Sequence, residues 1–169
     1  MSDTGLTSSK PEEPGGVDVS DPDRRLSPAD RSWLERTTGA ALEAIGASGE
    51  VRVRVVGDTE MAAAHERYAG EPGTTDVLTF DLRPEPAAGS PLDVDILVCI
   101  DEAQRQAAAR GHDALRELLL YIIHGVLHCL GHDDHDPEAA RRMHAEEDRI
   151  LALVGVGPVY ARAAAGGVP

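Results

Sequence analysis

The chain has 169 residues and a formal net charge of −14, with 30 acidic side chains against 16 basic ones. That is length enough for one domain with its own core, and a poor basis for broad attraction to a phosphate backbone. Aromatic residues make up only 3%, so the core must come from Leu, Val, Ile and Ala, and stacking platforms for bases are few. No apolar run reaches the ~18 residues a membrane span needs. The first residues lack the basic-then-apolar order of a signal peptide, and Cys99 and Cys129 do not form a C-x-x-C pair. The expectation is a soluble cytoplasmic protein with reduced thiols.

Residues 1–25 hold Pro11, Pro14, Gly15, Gly16 and Pro22 among Ser, Asp and Glu, a composition that reads as a disordered tail. Ser27-Pro28-Ala29-Asp30 supplies an N-cap, a proline at the first helical position and an acid in the first turn. A helix to about Ala47 follows. Glu50 to Val56 alternates valine with arginine at period two, which predicts a half-buried strand with Arg52 and Arg54 facing outward. Asp58 or Thr59 is placed as the cap of a short helix ending near Gly70, and 70–75 as a loop. Asp76 to Asp81 reads as a second strand. A Pro- and Gly-rich connection leads to a third, Asp93 to Ile100, apolar enough to suggest burial on both faces in the sheet centre. Asp101 is placed as N-cap of a helix closed by Gly111, and Pro137 starts a last helix reaching about Val154. The expected domain is 26–157, with 158–169 a flexible C-terminal tail. Its fold class is α+β: a small mixed sheet packed with helices.

Between the last two of these helices lies Leu118 to Asp136, the stretch that carries chemistry. Leu118, Leu119, Leu120, Ile122 and Ile123 form a buried helical run, and His124 and His128 follow four residues apart on one face. Two imidazoles on consecutive turns are half of a zinc site. Burying them without a shared partner is costly, so the metal reading outweighs that of two core histidines. Gly131 suits the left-handed residue that ends a helix and turns the chain back toward them. His132, Asp133, Asp134 and His135 then offer a third ligand. Cys129 points elsewhere on the helix and is read as a small core residue.

The motif H-G-x-L-H-x-x-G-H-D, preceded by T-D-V-L-T-F and an apolar strand containing Asp95, resembles the YbeY family of bacterial single-strand-specific endoribonucleases over roughly Val51 to Gly155. The resemblance implies a small domain with a mixed sheet, a metal site on a central helix and the turn after it, and one zinc per chain. It implies cleavage of single-stranded RNA in maturing the small-subunit ribosomal RNA precursor and in ribosome quality control. The partners it implies are the small subunit, one of its proteins and an assembly GTPase. Three positions depart from the family pattern. Asp134 stands where the third histidine usually falls, and a histidine comes one later, at His135. Spacing from Gly131 to Met143 fits without a gap, which favours His124, His128 and Asp134 as ligands, with His135 the alternative third. Ala69 replaces the usual basic residue after Tyr68, leaving Arg67, His65 and Arg83 as candidates to meet RNA. Val94 replaces the glycine before the acid of the central strand.

Two other functions compete. A zinc peptidase needs a glutamate directly after the first histidine as general base, and that position is Gly125. A non-catalytic assembly factor stiffened by metal would close the coordination with four ligands, where a catalytic site keeps three and an open corner.

Overall fold

The computed structural model describes residues 16–161. Four strands and five helices alternate along it: β1 Val17–Ser20, α1 Pro28–Ala44, β2 Gly49–Val56, α2 Asp58–Ala69, β3 Val77–Asp81, β4 Leu92–Cys99, α3 Ile100–Arg110, α4 Ala114–Cys129 and α5 Pro137–Leu153. The sheet order is β1-β2-β4-β3. β1 and β4 flank β2 in parallel, and β3 runs antiparallel to β4. It is a mixed sheet of the expected α+β class.

One face of the sheet carries Val51, Val53, Val55, Val94, Ile96 and Val98, all buried. α1 and α4 lie on it, with α5 behind them, and the Leu118 to Leu127 stretch fills the interior. The opposite face shows why β4 is not apolar on both sides. Asp93 and Asp95 are only half buried there, and both carboxylates bond the Arg52 guanidinium, at 2.5 and 2.6 Å. Alternation, not continuous burial, describes this central strand. Arg52 and Arg54 do face away from the core. α2 covers only the end of that face, where Val56, Met61 and Cys99 form a small second cluster.

Three boundaries differ from expectation. The tail expected over 1–25 already contains β1, whose register sets Val17 beside Val51 and Val19 beside Val53. Val19 is buried and Leu26 packs on the core, so the domain begins before residue 26; residues 1–15 lie outside those described. At the other end Asp148 accepts hydrogen bonds from the backbone N–H groups of Val159, Tyr160 and Ala161, which anchors the start of the stretch expected as a loose 158–169 tail. Residues 162–169 lie outside those described. Finally, neither Asp58 nor Thr59 caps α2; Gly57 holds that position. Asp101 does not cap α3 either, since Cys99 does. Its carboxylate accepts from the Asp58 N–H at 2.8 Å and from Arg25 at 2.6 Å, so it serves the start of α2 instead. None of the helices described is long and apolar enough to cross a membrane.

Candidate metal centre and cleft

α4 delivers the two histidines from inside the protein. Gly125, between them in sequence, packs so closely on β3 that an added Cβ would stand 2.5 Å from the Thr79 hydroxyl. That contact lets the helix sit down on the T-D-V-L-T-F strand. It also puts position 125 in the core, where no side chain could act as a general base. The helix then ends through a Schellman closure, with His132 N–H bonding Leu127 C=O at 3.0 Å and Gly131 at φ +94°. The reversal brings the 132–135 segment back over the imidazoles.

His124, His128 and Asp134 come together. The two Nε2 atoms are 3.0 Å apart, and each is 3.6 Å from a different Asp134 carboxylate oxygen. Ligands about 2.0–2.2 Å from a tetrahedral ion stand roughly 3.3–3.6 Å from one another; the two carboxylate separations match that range and the 3.0 Å between the Nε2 atoms is a little shorter, a set that a small parting of the rings would open for a divalent cation. Second partners fix both tautomers. His124 Nδ1 donates to Glu147 Oε1 at 2.6 Å, and His128 Nδ1 donates to the His132 carbonyl at 3.1 Å. Each acceptor takes the Nδ1 proton, which leaves both Nε2 atoms as lone pairs facing each other. Two lone pairs at that distance call for a shared cation or an added proton. The surrounding charge points the same way: burial works to lower the His124 pKa, yet it lies above the ordinary value because the Glu147 hydrogen bond and the charges of Glu147, Asp134 and Asp76 outweigh burial.

The other expected residues fall elsewhere. His135 is 85% exposed and pairs with Asp133 instead of facing the histidines. The His132 side chain is exposed as well and contributes only its carbonyl. Arg83 is not a surface cation. It is 8% exposed and spends its guanidinium on Asp81, on Ser90 Oγ and, at 2.6 Å, on the Cys129 carbonyl. It fastens the end of β3 to the end of α4, beside His128. His65 Nδ1 donates to the Gly73 carbonyl at 2.9 Å, which holds the 70–75 loop in place. Arg67 is exposed over the Tyr68 ring and lines a separate groove beneath α2 with Phe80 and Leu82.

His124 opens on a cleft of about 570 Å³ lined by Thr74, Thr75, Asp76, Glu102, Gln106, Arg110, Leu120, Tyr121, His144 and Tyr160, with His124 and Asp134 at its head. Its volume is that of an ordinary ligand site. The sequence marks 70–75 as a loop but does not show that its end forms a wall of this cleft. Glu147 was missed too, although one signal was legible: with Met143, Ile150 and Leu151 it falls on the inward stripe of α5, where an acid is out of place. It is wholly buried, and its Oε2 has no partner. Arg110, the last residue of α3, lines the same cleft, bonded to the buried Glu117 at 2.9 Å and set over the Tyr160 ring, which stacks on His144 at 3.8 Å.

An α+β domain that turns two bare imidazole nitrogens and a carboxylate toward one point, at the head of a polar cleft, is of the class able to take a single ion with three protein donors. The comparisons name the class more closely: the chain belongs to the YbeY endoribonuclease family, whose family model, Endoribonuclease YbeY, matches residues 19–155. Similar proteins carry the same name. That of Halorhodospira halophila is 39% identical over 133 residues, covering 77% of this chain and 84% of its own. That of Geobacillus kaustophilus is 35% identical over 150 residues, covering 83% and 96%. The solution structure of TM1509 from Thermotoga maritima matches with a TM-score of 0.57 and 23% identity, over 82% of this chain and 88% of that one, and so shares the fold. The family's activity is cleavage of RNA within the strand, the work of a hydrolase.

Proposed function

We propose that this chain is a zinc-dependent endoribonuclease specific for single strands, acting in the cytoplasm on the small-subunit ribosomal RNA precursor and in ribosome quality control. The observation that carries the metal dependence is the pair of Nε2 lone pairs, locked by Glu147 and the His132 carbonyl and faced by Asp134. His124, His128 and Asp134 are the residues that would hold one ion. When bound, a divalent ion supplies Lewis acidity toward a phosphodiester oxygen and lowers the pKa of water to roughly 7. The chain's own groups do the rest. Glu147 keeps the His124 ring in its tautomer, Asp134 adds a negative charge to the donor set, and the 74–76 segment and Tyr160 wall the strand's path. Partners in the small subunit and its assembly factors belong to the same reading.

One observation supports the reading as an enzyme over that of a metal-stiffened assembly factor. His135 turns outward, leaving three converging donors and an open corner in place of a closed set of four. The test is metal analysis of the purified chain together with cleavage of a labelled single strand, with and without chelator, beside His128→Ala. Loss of both bound metal and cleavage in the variant is expected. Full cleavage by a metal-free variant would overturn the proposal.

A further inference from the structure

Beyond His124 the cleft reaches Tyr121, one helical turn earlier, and there its chemistry changes. The neighbours of Tyr121 along α4, Leu118, Leu119, Leu120, Ile122 and Ile123, are apolar and buried, and of these Leu120 lines the cleft as well. Tyr121 is also buried, at 4% exposure, yet it lines the cleft, and its hydroxyl makes no hydrogen bond within the protein. An enclosed O–H without a partner is costly to fold around, so a partner from outside is the natural account of it.

The neighbours say what kind of partner. Asp76, Glu102, Gln106 and Arg110 line the same cleft, and Asp76, Glu102 and Arg110 lie near enough for their charges to act on the Tyr121 hydroxyl. Glu102 takes hydrogen bonds from the Gln106 amide at 2.8 Å and from Arg105 at 2.7 Å, which hold its carboxyl below the usual range and keep it an acceptor. Burial and then the charges of Glu117, Asp76 and Glu102 push the Tyr121 hydroxyl well up, so it stays a donor. Two carboxylates repel a phosphate. A sugar hydroxyl, which both gives and takes a hydrogen bond, is matched by a phenol beside carboxylates. It is also the group by which RNA differs from DNA.

We propose that this end of the cleft is a ribose subsite, in which the Tyr121 hydroxyl bonds the 2′-hydroxyl of a nucleotide flanking the cleaved phosphodiester and so favours RNA over DNA. This rests on the endoribonuclease reading above. Tyr121 is a specificity-determining residue here, separate from the residues that would hold the ion.

The experiment compares full-length wild type with Tyr121→Phe. Binding of a short fluorescent oligouridylate and of its all-deoxy counterpart is followed by anisotropy, with chelator present to keep the strand intact. A set of strands carrying a single 2′-deoxy residue locates the subsite. The ratio of RNA to DNA affinity is expected to fall about three- to tenfold in the variant, the size of one lost hydrogen bond. The variant's melting temperature is expected to hold or rise, because no internal bond is removed. An unchanged ratio overturns the subsite alone, as does a variant that melts well below wild type, since the hydroxyl would then have an internal partner. Wild type that binds no RNA overturns the subsite and the nuclease reading together.

Discussion

The residue that most shapes the proposed metal centre is one that stands behind the point where His124, His128 and Asp134 converge. Glu147 is fully buried on α5, and one oxygen takes the His124 Nδ1 proton while the other has no partner. A carboxylate in that position fixes the ring and raises its basicity toward a cation. Glu147→Ala is expected to weaken zinc binding about 10- to 100-fold, with Glu147→Gln in between because its amide oxygen still accepts. Calorimetric titration with zinc checks the order, and an alanine variant that binds as tightly as wild type would remove Glu147 from the site. The histidine pair was legible in the sequence because i,i+4 spacing depends only on the helix repeat. Spacing favoured Asp134 over His135 but left His135 open, because the outcome depends on how the turn after Gly131 folds back. Tyr121 went unnoticed for a related reason. At a core position of an apolar helix an aromatic ring looks like packing, and only the tertiary fold shows that Tyr121 lines a cleft with its hydroxyl buried and unpartnered.

At the scale of elements, the site depends on holding the end of α4 against β3. Gly125 makes the close approach and the Asp81–Arg83 pair closes it, with Arg83 also bonding the Cys129 carbonyl. The Arg83 hydrogen bond holds the Asp81 carboxyl below the usual range, against the opposing effect of partial burial. A carboxylate whose folded pKa is depressed adds stability that is present above its unfolded pKa of about 3.9, and loses it as the pH falls through the folded value. Asp81→Asn is therefore expected to cost about 1–3 kcal/mol at pH 7, and the gap from wild type should close as the pH falls below about 4. Urea melts at both pH values test this; a gap of the same size at each would mean the ion pair is not its source. The helices and the three longer strands were legible from periodicity and from breaker residues, with the expected cap right at Ser27 of α1 but displaced at α2 and α3. β1 was not, because four residues bury only Val19 and gain their order from pairing with β2, far along the chain.

The whole molecule presents RNA with a repulsive field. Its net charge is −14, and the exposed arginines of the sheet face and of α3 are tied up by acids: Arg52 by Glu50, Asp93 and Asp95, and Arg105 by Asp58 and Glu102. Among the described residues lining the cleft, Arg110 is the one arginine or lysine, and it is half committed to Glu117. Affinity for a single strand scales with salt at a slope of about −0.7 per neutralised phosphate. One such contact gives a change of only about threefold between 50 and 200 mM salt, where a protein with many phosphate contacts loses several orders of magnitude. The added salt also screens the long-range repulsion, which lowers even that loss. A near-flat salt dependence of single-strand binding is thus expected, measured by anisotropy at fixed pH. A slope steeper than about −2 would require three or more phosphate contacts and would place the RNA on a basic surface other than this cleft. With so little electrostatic steering, encounter with free RNA is slow. Recognition must then come from groups that act at contact range, which is why a neutral hydroxyl such as that of Tyr121 can matter more to this chain than another arginine would.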